Sequence, residues 1–151
     1  MDRWTVTTRC GPTLAVEAEG NGPGIILVHG LGFDRRHWRS QIDALVEAGY
    51  RTITYDLRGF GDSQAAKAAF TVADLASDLE AVRLSADVQQ FHLVGHSLGG
   101  MCAQAYTLEH PEQVLSLTLA STTSHSGNRG SAYGAALGHL AMVGFDKAME
   151  D

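Results

Sequence analysis

Between residues 91 and 100 the chain reads Phe91-His92-Leu93-Val94-Gly95-His96-Ser97-Leu98-Gly99-Gly100, placing a serine between two glycines where an apolar strand-like run gives way to a helical pattern. A strand that turns into a helix around a single residue is sharply bent and crowded. Gly95 and Gly99 suit that bend because a side chain two residues before or after the serine meets neighbouring backbone. Leu98, Met101, Cys102, Ala105 and Leu108 then follow at helical spacing. The segment therefore predicts a strand, a tight turn and a helix with Ser97 raised at the turn, the arrangement of a nucleophile elbow.

The rest of the chain supplies a matching scaffold. Trp4 to Thr8 and Leu14 to Ala18 read as two short strands joined at Gly11-Pro12, and Gly20-Asn21-Gly22-Pro23-Gly24 closes that unit. Ile25-Ile26-Leu27-Val28 is an unbroken apolar run, as expected of a strand covered on both faces in a parallel sheet. A helix is predicted from His37 to Glu47, with Trp38, Ile42, Leu45 and Val46 on one stripe, and a strand from Arg51 to Tyr55. Thr71 with Asp74 three residues on predicts the start of a helix running through Leu75, Leu79, Val82 and Leu84. After the elbow, Pro111 stops its helix and Val114 to Ala120 forms one more strand. Strands alternating with helices after an antiparallel start predict an α/β fold: an open, mostly parallel sheet with helices on both faces. Ligand chemistry in such sheets gathers at the carboxyl ends of the strands, where the loops His29–Phe33, Asp56–Ser63 and Gly95–Gly100 all fall.

Composition excludes several classes of partner. With 44% hydrophobic and 19% charged residues over 151 positions, the chain has the balance of one globular core. Its formal charge of -6 and lack of a continuous basic patch argue against nucleic acid. Arg35, Arg36 and Arg39 at helical spacing are expected to form a solvated face. No apolar stretch reads as a membrane span or secretory signal, and a cytoplasmic location is the expectation. Cys10 and Cys102 are far apart and in unlike contexts, so two free thiols are expected, and no spacing suggests a metal site. Gly59-Phe60-Gly61 lacks the third glycine of a dinucleotide loop and nothing matches a Walker loop, so no cofactor is expected. Phe33, Trp38, Phe60 and Met101 could line a pocket, although such residues are more often core; Phe33 is the best placed of the four.

Four segments in this order, His29-Gly30-Leu31-Gly32, Tyr55-Asp56-Leu57-Arg58-Gly59-Phe60-Gly61-Asp62-Ser63, Gly95-His96-Ser97-Leu98-Gly99-Gly100 and His110-Pro111-Glu112-Gln113-Val114, carry a resemblance. The sequence resembles the α/β-hydrolase superfamily over residues 4–125, in particular its small esterase, enol-lactonase, haloperoxidase and C–C hydrolase members. The resemblance implies a hydrolase acting on a small ester or lactone, with Ser97 as nucleophile and the backbone N–H groups of Leu98 and Leu31 as oxyanion donors. Gly30, Phe33 and Met101 are the expected substrate-binding positions. His29 and His96 are expected to be hydrogen-bonded within their loops rather than to act as bases.

In the family the triad acid and histidine follow a seventh and an eighth strand. By the resemblance, residues 1–125 form the amino-terminal part of the hydrolase core, and residues 126–151 a polar loop and the start of a helical cap. The sheet is then truncated after about its sixth strand. Beyond Ser97 the histidines are His110, His125 and His139, and His125 is the candidate base because its loop leaves the strand on the catalytic side. Two other readings stand beside this one, a non-catalytic binder of an apolar small molecule and an inactive truncated product. The unpaired edge of the strand Val114 to Ala120 is expected to favour self-association.

Overall fold

The computed structural model describes residues 1–9 and 11–124. In chain order these form β1 (Asp2–Thr7), β2 (Thr13–Glu19), β3 (Gly24–Val28), α1 (Arg39–Glu47), β4 (Arg51–Tyr55), α2 (Val72–Ser85), β5 (Phe91–His96), α3 (Leu98–Glu109) and β6 (Val114–Ala120). The strands make one sheet in the order β1-β2-β4-β3-β5-β6. β2 pairs antiparallel with both of its neighbours, β1 and β4, whereas β4, β3, β5 and β6 are parallel. The helical connections between the parallel strands carry the chain back to the same starting edge, so their carboxyl ends converge.

Alternation along β3 assigns the two faces. Ile26 and Val28 join Ile53, Tyr55, Phe91 and Leu93 beneath α2 and α3, whose Leu75, Leu79, Val82, Cys102 and Tyr106 complete the larger core. Ile25 and Leu27 point the other way, against Trp38 and Ile42 at the start of α1 and within it. Both faces are therefore covered, which is why the run is apolar at every position. Burying a side chain of this size contributes about 2 kcal/mol each. α2 starts at a complete capping box: Thr71 accepts from the Asp74 N–H, and the Asp74 carboxylate accepts from the Thr71 N–H at 2.7 Å.

Two expectations require correction. The helix predicted from His37 begins at Arg39, because Arg35–Trp38 winds as a 3-10 turn capped by Asp34, which accepts from the Arg36 N–H at 2.8 Å. Leu84 and Leu108 lie in α2 and α3 as their spacing predicts, and are 60% and 84% exposed. The packing faces of α2 and α3 are narrower than the apolar content suggests. Arg35 is not part of a solvated face: its guanidinium is turned inward and bonded to Asp56 and Asp62. Arg36 and Arg39 do remain exposed. Cys102 is free and buried, and burial pushes its thiol up to about 12. Cys10, His125 and the expected loop and cap at residues 126–151 lie outside the described residues. No helix among the described residues is long and apolar enough to cross a membrane.

Candidate active site

Ser97 stands between β5 and α3 with φ 51° and ψ -115°, a left-handed conformation that an L-residue with a side chain rarely adopts. Its surroundings hold it there. The Ser97 N–H donates to the Ala120 carbonyl at 3.0 Å, and the Ser97 carbonyl accepts from Gly100, Met101 and the Thr122 hydroxyl. A Cβ at Gly95 would lie 2.5 Å from the Gly99 carbonyl oxygen, and one at Gly99 only 2.3 Å from that of Val28. Both glycines are thus required by backbone contact, as the bend predicts. Ser97 keeps partial exposure while Leu98 is fully buried under it.

The loop after β3 comes up against this turn. A Cβ at Gly30 would lie 3.1 Å from Ser97 Cβ and 2.7 Å from His96 Nδ1, so only a glycine lets the two segments approach. His29 is fully buried and bonded at both nitrogens: Nε2 accepts from the Leu57 N–H at 2.9 Å, so Nδ1 carries the proton and donates to the Gly30 carbonyl at 2.8 Å. Burial lowers its pKa and favours this neutral form. The Phe33 N–H also donates to the Gly30 carbonyl, at 3.3 Å. With the Gly30 carbonyl held from two sides, the orientation of the Gly30–Leu31 peptide is fixed.

The loop after β4 closes the third side. Asp56 is fully buried and accepts from the backbone N–H groups of Arg35 and Asp62, at 2.7 and 2.8 Å, and from the Arg35 guanidinium. One carboxylate therefore joins the segments following β3 and β4. A Cβ at Gly61 would fall 2.2 Å from Asp56 Oδ2, and φ there is +50°, so this loop also needs its glycine.

The chain matches the family model described as the alpha/beta hydrolase fold over residues 23–142. It belongs to that family. A Variovorax paradoxus (strain S110) protein named for carbamate hydrolysis, RutD, is 39% identical over 110 residues, covering 72% of this chain and 41% of that protein. The 2-hydroxy-6-oxononadienedioate/2-hydroxy-6-oxononatrienedioate hydrolase of Escherichia coli (strain K12 / DH10B) is 36% identical over 124 residues, 78% of this chain and 43% of its own length. Among solved structures, the enol-lactonase from Burkholderia xenovorans LB400 superposes with a TM-score of 0.80 at 25% identity, covering 89% of this chain and 53% of that one. The chain thus spans about two fifths of the length of the curated relatives it matches.

Within this α/β-hydrolase framework, Gly30 lies against Ser97 and His96, Leu31 and Leu98 follow them in the chain, and Leu31 and Met101, the latter one turn into α3, are partly buried against the larger core. Phe33 is 46% exposed and packs on imidazoles, with its ring centroid 4.5 Å from His37 and 5.7 Å from His96. Trp38 and Phe60 are core. His96 differs from expectation, since its Nδ1 is buried without a hydrogen-bond partner among the described residues. Sequence reasoning missed Arg35, His37 and Thr122. Spacing gave Arg35 and His37 to a surface helix, and Thr122 has no motif of its own; Asp34 directly before the arginines, a capping residue, was the one signal that the helix did not start where its apolar stripe did.

Proposed function

We propose that this chain carries the nucleophile and oxyanion half of a serine hydrolase for small esters or lactones. The carrying observation is Ser97 itself, held at positive φ at the amino end of α3 between two glycines whose Cβ positions are filled by backbone. The hydroxyl attacks the acyl carbonyl and an acyl–serine ester forms as the alcohol leaves. The developing oxyanion is taken by the N–H groups of Leu98 and Leu31. The first belongs to a helix start, where backbone donors lack intrahelical acceptors, and the second to the peptide whose carbonyl His29 and Phe33 hold. Gly30, Phe33 and Met101 border the acyl group. Removing one such donor costs on the order of 3 kcal/mol of transition-state stabilisation.

The relatives' names support the substrate class: an enol-lactone and an oxo-diacid both present a carbonyl carbon to a nucleophile. A serine also suits acyl transfer better than alkyl transfer, because an acyl–serine ester is open to water and a serine ether is not. The proton acceptor belongs to the proposal with His125 in that role. Hydrolysis of short-chain nitrophenyl esters, compared with Ser97→Ala and His125→Gln, tests it. Turnover or a stoichiometric acyl burst that disappears with Ser97 supports the reading, and equal rates in wild type and Ser97→Ala overturn it. A His125→Gln variant as active as wild type removes His125 from the mechanism and leaves Ser97 in it.

A further inference from the structure

Beside the elbow, four rings close on one another. His37 stacks on His96 with centroids 5.0 Å apart and planes 24° from parallel. Phe33 contacts both, and Trp38 meets His37 edge-on at 5.1 Å. His96 is the residue before Ser97, while Phe33 ends the loop that carries Gly30 and Leu31. The cluster therefore ties the loop after β3 to the turn after β5 through side chains. Its central member is an imidazole pair, which a proton can alter as it could not alter an aliphatic contact.

We propose that His37 is a positioning residue for the Ser97 site, clamping the Gly30–Phe33 loop against the elbow through its stack on His96 while uncharged and releasing that loop when it takes up a proton. The consequence for catalysis rests on the reading of Ser97 as nucleophile; the clamp itself rests on the ring geometry. His37 is exposed on its outer side and covered by Phe33, Trp38 and His96 on its inner side, so a proton puts charge on a ring whose inner side has given up its water to the stack. The titratable and charged groups that act on His37 are His96 at the end of β5, His29 just after β3 and Asp34, bonded to Arg36, on the same turn. Lost hydration and then His96 lower the pKa of His37, and Asp34 opposes them. The loop is accordingly held above the His37 midpoint and freed below it.

The test follows the full-length chain by NMR from about pH 8 to about pH 5, a window that spans ordinary histidine titration. The His37 ring resonances give its midpoint, and the protection factor of the Phe33 amide, which donates to Gly30, reports the loop. Protection is expected to fall with the His37 midpoint and to lose that dependence in His37→Gln. Asp34→Asn keeps a capping side chain but removes the carboxylate charge, so it is expected to move both midpoints to lower pH together. A Phe33 amide unaffected by the His37 titration, or equally affected in His37→Gln, overturns the clamp. Labelling of Ser97 by a fluorophosphonate is expected to slow severalfold across the same midpoint. A Phe33 response without Ser97 labelling at any pH supports the clamp and counts against the nucleophile reading alone.

Discussion

β3 and β6 are both apolar runs in the sequence, yet the fold treats them differently. Every residue of Gly24–Val28 is buried, whereas Leu115 and Leu119 of β6 are 52% and 43% exposed. β3 lies between β4 and β5, with α1 on one face and α2 and α3 on the other; β6 ends the sheet among the described residues, paired only with β5. Their carboxyl ends differ in the same sense. Gly99 packs on the backbone at the end of β3, while Gly100 packs on the Thr122 side chain just after β6. Place in the sheet, rather than hydrophobicity, sets how much each leucine or isoleucine contributes.

The largest effect that could break this comparison is expected at the two glycines. Gly99→Ala drives a methyl group into the Val28 and His29 carbonyls of a strand held on both sides and should destabilise by roughly 4 kcal/mol or more, above Gly100→Ala, whose clash with Thr122 Cβ is relieved by a shift of the segment after the outermost strand β6. Urea denaturation of the two variants measures the difference, and similar midpoints would contradict it. Next comes Ile26→Ala, which empties a fully buried site beneath α2 and α3 and is expected to cost about 3–4 kcal/mol by the same method.

An effect independent of sheet position comes third. Asp74→Ala removes half of the α2 capping box for about 1 kcal/mol. The bonds from Thr71 lower the Asp74 pKa in the folded chain. Its contribution is therefore present above the carboxyl's ordinary pKa and lost as pH falls through the lower folded value, so thermal melting of wild type and variant should converge in acid. Leu119→Ala is the smallest, below about 0.5 kcal/mol. A cost near that of Ile26→Ala would show that β6 is covered after all in solution, and would collapse the contrast.

Much of the site is legible in the residue order alone. Gly95, Ser97 and Gly99 announce their own geometry, because the bend forbids side chains at fixed offsets, and the α2 cap is legible because Thr71 and Asp74 interact across one turn. The Asp56 hub is not legible in that way. Its partners, Arg35 and Asp62, come from different loops, and nothing in the spacing of three arginines tells which one turns inward. The ring cluster is hidden for a related reason: His37 and His96 are far apart along the chain and meet only because β3 and β5 are neighbours.

By itself the sequence determined what depends on adjacent residues and repeating offsets: the order of strands and helices, the capping box, the glycines of the elbow and the residue raised there. Tertiary structure decided which apolar runs became core, which charges were buried and which histidines touched. Those outcomes turn on neighbours supplied by distant segments, and burial, pairing and stacking are properties of the contact rather than of either residue alone.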